Sequence, residues 1–514
     1  MRLPVLVLIA GAVVGAYLAR PAEMMAQTGV APESVRQAWL PDQAEVVYWH
    51  WQKDRYGPAL TGNESWHHFL RFVEDGLAEA GVVDLRRNEW TFDRWRTSHW
   101  PDDSHWSLEV GKRRVPVVSF GANSGSTGPA GVTAPLVPLR PGGPLEDLEG
   151  RIAVARTQVD AATVAALAGA DYEFHSLPSS YPEAGGMLPE SVDSVSWNIF
   201  PQLMQTTELI AAARRGNAAG LLLIFDAGRE QMQGLYTFPV PDHYSVPTLM
   251  LDREEGARVL QAAHAGLSAT LRLEAEVVQS EAYQLVGYLP GRHYGTDADE
   301  VIQLVTHTDG PSISQDNGAL GLLGLVRYFS RIPQAERSRT LMVFLDCRHF
   351  MPGQEARFED EDFFARNPTA RDRVVAMIGM EHLGQIEYVE DGHRLRPSGR
   401  ADTSMIWTTD HQSVLELTIR AVKENELPSA AVRNVARPGV HGGHQGRWYG
   451  MASHASQMNL PAVAMMGTMG AYWATSSRID RLDPSHFIRQ LATFVQITKE
   501  LMEVDLEVLR SRKD

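Results

Sequence analysis

The chain has 514 residues, 44% of them hydrophobic and 21% charged, with a formal net charge of −16 at pH 7. That apolar content excludes a mostly disordered chain, and a length to be divided by roughly 150 residues per domain points to two or three domains. The negative charge, with no Lys/Arg cluster to reverse it locally, excludes nucleic acid as a partner.

Residues 1–27, MRLPVLVLIAGAVVGAYLARPAEMMAQ, begin with an arginine and an apolar run from Leu3 to Leu18, followed by small residues. This pattern predicts a secretory signal cleaved near Ala26 and a periplasmic or extracellular protein; left uncleaved, the segment would act as a membrane anchor. The sole cysteine, Cys347, forbids an intrachain disulfide and lies too far from the N-terminus to be a lipoprotein anchor. Large cores must therefore hold the exported chain together.

Over residues 28–105, the stretch ESWHHFLRFVEDGLAEAGV repeats apolar positions at helical spacing and closes on glycine, which predicts an amphipathic helix of a larger unit. At residue 106 the composition shifts to short β-type runs punctuated by Gly, Pro and Ser. Within that region LEDLEGRIAVAR reads as turn and strand, LIAAARRGNAAGLLLIFD as helix, break and strand, and VPTLMLDREEGARVL as strand and helix. In order and wording, residues 106–275 resemble a protease-associated domain. The resemblance implies a β-rich insertion without chemistry of its own that borders an active site. Its acidic residues Asp147, Glu149, Glu254 and Glu255 read as a solvated face, since EF-hand ligand spacing is absent. The tryptophans of WTFDRWRTSHWPDDSHW read as packing residues.

From AYQLVGYLPGRHYGTDADEVIQLVTHTDG onward, buried strands alternate with helices. Residues 276–514, with 28–105 as their N-terminal part, are therefore expected to form an α/β unit with a mostly parallel central sheet. Ligands bind such sheets beyond the carboxyl ends of the strands. VIQLVTHTDG ends there in His307 and Asp309, and DNGALGLLGLVRYF opens a helix behind Asp316. TLMVFLD delivers Cys347, Arg348 and His349, and VVAMIGMEHLG delivers Glu381 and His382. Imidazole and carboxylate converging from separate strand ends suit a zinc-type site.

These residues resemble the M28 family of zinc peptidases, whose fold is a three-layer α/β domain of phosphorylase/hydrolase-like type. The match covers most of residues 28–510. By that resemblance His307 is a zinc ligand, Asp309 orients it, Asp316 bridges two zincs, and Glu381 is a further carboxylate ligand. Two positions depart from the family. Aligned on Gly353, Cys347 and Arg348 replace a Glu-Glu pair, of which one is the general base and the other a ligand. Near the C-terminus, in GAYWATSSRIDRLDP, Trp473 or Ala474 replaces a histidine. Arg348, always protonated, is expected to fill the vacated cation site and pair with Asp316. The implied cofactor is then one zinc ion.

Residues that could take up the lost base's role are His349, Asp346, His441, His444 and His454. His349 and His382 also read as structural histidines. Cys347 beside Arg348 and His349 is a candidate nucleophile through a lowered thiol pKa, against the plainer reading of a packed apolar residue. The leading expectation is a hydrolase of peptide or small amide substrates that uses His307, Asp316 and Glu381 for metal and Asp309, Cys347, Arg348 and His349 for chemistry. The alternative is a catalytically silent homologue that binds a peptide, glycan or protein in the old cleft.

Overall fold

A computed structural model describes residues 35–139, 143–158, 172–177, 195–236, 243–351, 361–435, 450–453, 455–458, 460–467 and 473–510. The signal segment, Gly353, His441, His444 and His454 lie outside these residues. No helix among the described residues is long and apolar enough to cross a membrane.

A nine-stranded sheet organises the larger unit. Its order is Val83–Arg96, Glu276–Leu289, Thr340–Asp346, Val301–His307, Val374–Met380, Ala462–Met466, Ser404–Thr408, Ala430–Val435 and Tyr172–Leu177. The four strands from Thr340–Asp346 to Ala462–Met466 run parallel, and both flanks begin with antiparallel pairings. The central strands are apolar runs buried along their whole length. Both sheet faces are covered, so alternation between apolar and polar is not required of them. Successive side chains point to opposite faces: Leu304, Val343 and Leu345 join one core, while Val305, Met342 and Phe344 join another.

Helices Gln43–Asp54, Glu64–Glu79, Gly318–Ser330 and Pro484–Glu503 supply side chains to the first core. The predicted amphipathic helix is Glu64–Glu79. Asn63 caps it by accepting a hydrogen bond from the Trp66 amide at 2.7 Å. It ends before Gly81, which takes φ +85°, a left-handed conformation that glycine adopts without penalty.

Strands between Trp106 and Leu273 form a second, eight-stranded sheet with its own core. One segment of this stretch departs from it: Tyr172–Leu177 pairs antiparallel with Ala430–Val435 and extends the larger sheet. The two units also share packing, because Trp95, Phe350 and Trp473 belong to the second core.

Candidate metal centre

The strands Val301–His307, Thr340–Asp346 and Val374–Met380 end at one sheet edge, with His307 in register with Asp346. The turns beyond them are tied together. Asn317, at the start of helix Gly318–Ser330, accepts from the Leu383 amide at 2.9 Å and donates to the Leu383 carbonyl at 2.7 Å and to His50 Nε2 at 3.0 Å. A Cβ on Gly318 would stand 2.0 Å from the Met380 carbonyl oxygen, so only glycine lets this helix approach the strand so closely. His382 sits in the same turn at φ +56°.

His307 is fully buried, and its Nδ1 lies 2.9 Å from the Asp309 carbonyl oxygen. A carbonyl can only accept, so Nδ1 carries the proton and Nε2 has a free lone pair when the ring is neutral. The Asp309 carboxylate is farther, at 3.8 Å, so the orienting group is the main chain and not the side chain expected from sequence. Nε2 lies 3.3 Å from Glu381 Oε2, within ion-pair distance. His307, Glu381 and His382 each place a ligand atom within 4.8 Å of the others.

Burial opposes charge on both members of the His307–Glu381 pair, but each charge more than offsets this for the other. His307 is pushed up to about 9 and Glu381 down to about 2. Burial dominates at His382, which falls to about 3. Once His307 gives up its Nε2 proton, an imidazole with one nitrogen engaged, a second imidazole and an ionised carboxylate fit a divalent ion such as zinc, with a fourth position left for water.

Asp316 is not part of that group. Its Oδ1 lies 2.6 Å from Lys53 Nζ, and both side chains are buried, at 0% and 2% exposure. Lys53 also donates to the Ser312 carbonyl at 2.5 Å. Burial raises the Asp316 carboxyl to about 6 even with Lys53 working to lower it. Arg348, expected at this place, instead reaches back to Asp346, with Nε 3.0 Å from Oδ2 and 3.2 Å from Oδ1. Gln284 Nε2 holds the same Oδ1 at 2.8 Å. Two residues on one strand end pair more readily than groups on separate turns, and a lysine from helix Gln43–Asp54 has taken the position the arginine was expected to fill. Sequence reading missed Lys53, although a signal was present: Val46, Trp49, His50 and Lys53 share the helix's buried stripe at helical spacing.

Asp309 accepts from the His349 amide at 3.3 Å and the Phe350 amide at 2.7 Å, fixing the turn after Thr340–Asp346, and burial lifts its carboxyl to about 7. The His349 ring stacks on His307 with centroids 4.2 Å apart, and burial followed by the His307 charge drives its pKa well below the usual value. Cys347 is fully buried in the first core, and burial, then Asp346 and Asp309, raise its thiol well above the usual range. This reverses the lowered pKa expected of a nucleophile: burial and the two carboxylates outweigh Arg348, which acts to lower it. Trp473 is a buried core residue whose ring centroid lies 5.7 Å from Phe350.

No protein-family model and no curated protein matches this chain. Among solved structures it is similar to a zinc aminopeptidase from Bacillus subtilis, with TM-score 0.56 at 13% identity, covering 90% of this chain and 95% of that one. A peptidase M28 precursor from Shewanella amazonensis gives TM-score 0.57 at 14% identity, covering 90% and 92%. An aminopeptidase from Aneurinibacillus sp. strain AM-1 gives 0.52 at 14% identity, covering 90% and 95%. The likeness is one of fold: this chain has the mixed α/β architecture of M28 aminopeptidases.

Proposed function

We propose that this chain is an exported metal-dependent hydrolase of peptide or amide bonds that holds one divalent ion, zinc, through His307, Glu381 and His382. The observation that carries the reading is the engagement of His307 Nδ1 by a carbonyl, which leaves Nε2 beside the Glu381 carboxylate and the His382 ring. Lys53 supplies the positive charge at Asp316, which favours one ion over two. When bound, the ion would polarise a carbonyl and lower the pKa of a water. His349, stacked on His307, lies beside the proposed ion, where its lowered pKa makes it a weak proton acceptor, and Asp309 positions it through the backbone amides of the turn. Residues 106–275 would be an inserted protease-associated domain that flanks the site, a reading supported by their separate sheet and by the seating of Phe350 in its core. Segment 1–27 would direct export, or tether the chain to a membrane if retained.

The second reading, a silent homologue that binds a ligand in the cleft, is favoured by the same Lys53–Asp316 pair and by the burial of Trp473. Metal analysis of purified protein, stripped with chelator and resupplied with zinc, separates the two. The hydrolase reading expects about one zinc per folded chain, lost in His307→Ala with folding retained. Folded wild type that takes up no divalent ion would leave the binding protein.

A further inference from the structure

Beside the metal centre lies a pocket whose lining includes Phe350 and Met351 together with Arg94, His99, Asn123 and Tyr236. The wall residues Phe350 and Met351 continue directly from His349, which stacks on His307, so the pocket abuts the centre. Its polar groups include a cation with no carboxylate beside it, the Tyr236 phenol being the neighbour that favours its charge. Arg94 is half-buried and forms no ion pair or hydrogen bond among the described residues. Burial lowers its pKa, and no carboxylate opposes that effect. Asn123 is 3% exposed and its Nδ2, a donor, has no partner among the described residues; the His99 Nδ1, donor or acceptor according to tautomer, has none there either. A buried donor without an acceptor is costly, and a desolvated guanidinium without an anion more so, so the arrangement calls for a ligand that brings oxygen acceptors and negative charge.

We propose that this pocket receives a carboxylate carried by the substrate, with Arg94 as its counter-ion and Asn123 Nδ2 as a further donor. The inference rests on the hydrolase reading for the word substrate, and not for the binding itself. A planar carboxylate matches the two-pronged donor face of a guanidinium. The space open to water-sized groups measures about 20 Å³, room for a small group only. Arg94 would then act as a specificity determinant: it holds one end of the substrate beside the ion site and takes no part in bond breaking.

The test is calorimetric binding to the full chain with N-acetyl-alanyl-alanine, its C-terminal amide and sodium acetate as probes. Wild type is expected to bind the acid roughly tenfold or more tightly than the amide, the discrimination typical of one charged hydrogen-bonded contact. Arg94→Gln should remove that preference, and Arg94→Lys should keep part of it, both with unchanged melting temperature because Arg94 has no partner to lose. His307→Ala should lose hydrolysis and keep the preference, so failure of the hydrolase reading and failure of the pocket are read separately. Equal binding of acid and amide, binding of neither, a preference surviving Arg94→Gln, or binding of acetate alone would each overturn the assignment.

Discussion

Lys53→Met tests the charge arrangement at its least expected point. The lysine is 2% exposed, its Nζ lies 2.6 Å from a fully buried carboxylate, and it also donates to the Ser312 carbonyl at 2.5 Å. Methionine keeps the length of the stem and its packing near Phe69, whose ring centroid lies 5.8 Å from Nζ. What is lost is the charge. Deleting one partner of a buried ion pair costs about 3–5 kcal/mol, because the other charge is stranded. The stranded group can escape by binding a proton, which fixes the sign of the pH dependence. Asp316 is already raised to about 6 in the folded chain, by burial and against Lys53, and loss of the lysine raises it further. Folding of the variant therefore takes up a proton over a window that extends above pH 6, and its deficit relative to wild type grows with pH there by up to about 1.4 kcal/mol per unit. Urea unfolding of chelator-treated protein at pH 6 and pH 8 measures both effects. A deficit below about 1 kcal/mol at pH 8, or one that does not shrink on acidification, would refute the claim that Lys53 neutralises Asp316.

Two other buried groups give independent expectations. His50 donates through Nδ1 to the Val46 carbonyl at 2.7 Å, accepts from Asn317, and is lowered to about 3 by burial first, with Lys53 adding to the effect. Its folded pKa lies below the unfolded value, so its contribution is present above pH 6.5 and is lost as pH falls towards 3; His50→Gln should lose about 2 kcal/mol less than wild type between pH 7 and pH 5 in urea unfolding. Cys347, with its thiol raised by burial, should resist iodoacetamide at pH 8 in folded protein and react fully in urea, as read by intact mass, and stoichiometric labelling of the folded chain would restore the nucleophile reading.

The α/β architecture was legible because its strongest determinants are local. Runs such as VIQLVTH and TLMVFLD are too apolar for anything but central strands, and the helix Glu64–Glu79 announces itself by spacing and a closing glycine. His307 and Glu381 were legible because each follows a buried strand, so the sheet itself delivers them to one edge. What failed were pairings between distant segments. Arg348 was assigned to Asp316 on charge alone, and sequence gave no way to weigh the nearer Asp346 or the lysine arriving from helix Gln43–Asp54. The grouping of His382 with His307 and Glu381 depends on a positive-φ turn that places its ring by Glu381, which sequence spacing does not reveal. The strand Tyr172–Leu177 joined the larger sheet through a partner far along the chain, a choice that periodicity does not encode.

Charge balance is the reason the proposed metal site is read as holding one ion and not two. Four carboxylates, Asp309, Asp316, Asp346 and Glu381, lie buried together. Lys53 neutralises Asp316, Arg348 neutralises Asp346, and protonated His307 neutralises Glu381. Asp309 alone lacks a cation of its own, and it is lifted to about 7 while two backbone amides hold it. A divalent ion at Asp316 would have to evict a buried ammonium, and one at position 348 would meet a guanidinium that cannot lose its proton. At His307 the obstacle is a single proton, which an ion can displace while inheriting the same carboxylate, and metal binding ordinarily proceeds by releasing such protons. The exchange of a proton for a divalent ion leaves a surplus of one positive charge, and the ionised form of Asp309 is the nearest group able to answer it. On the proposed reading, Lys53 and Arg348 thus close the second cation position and leave the first one open.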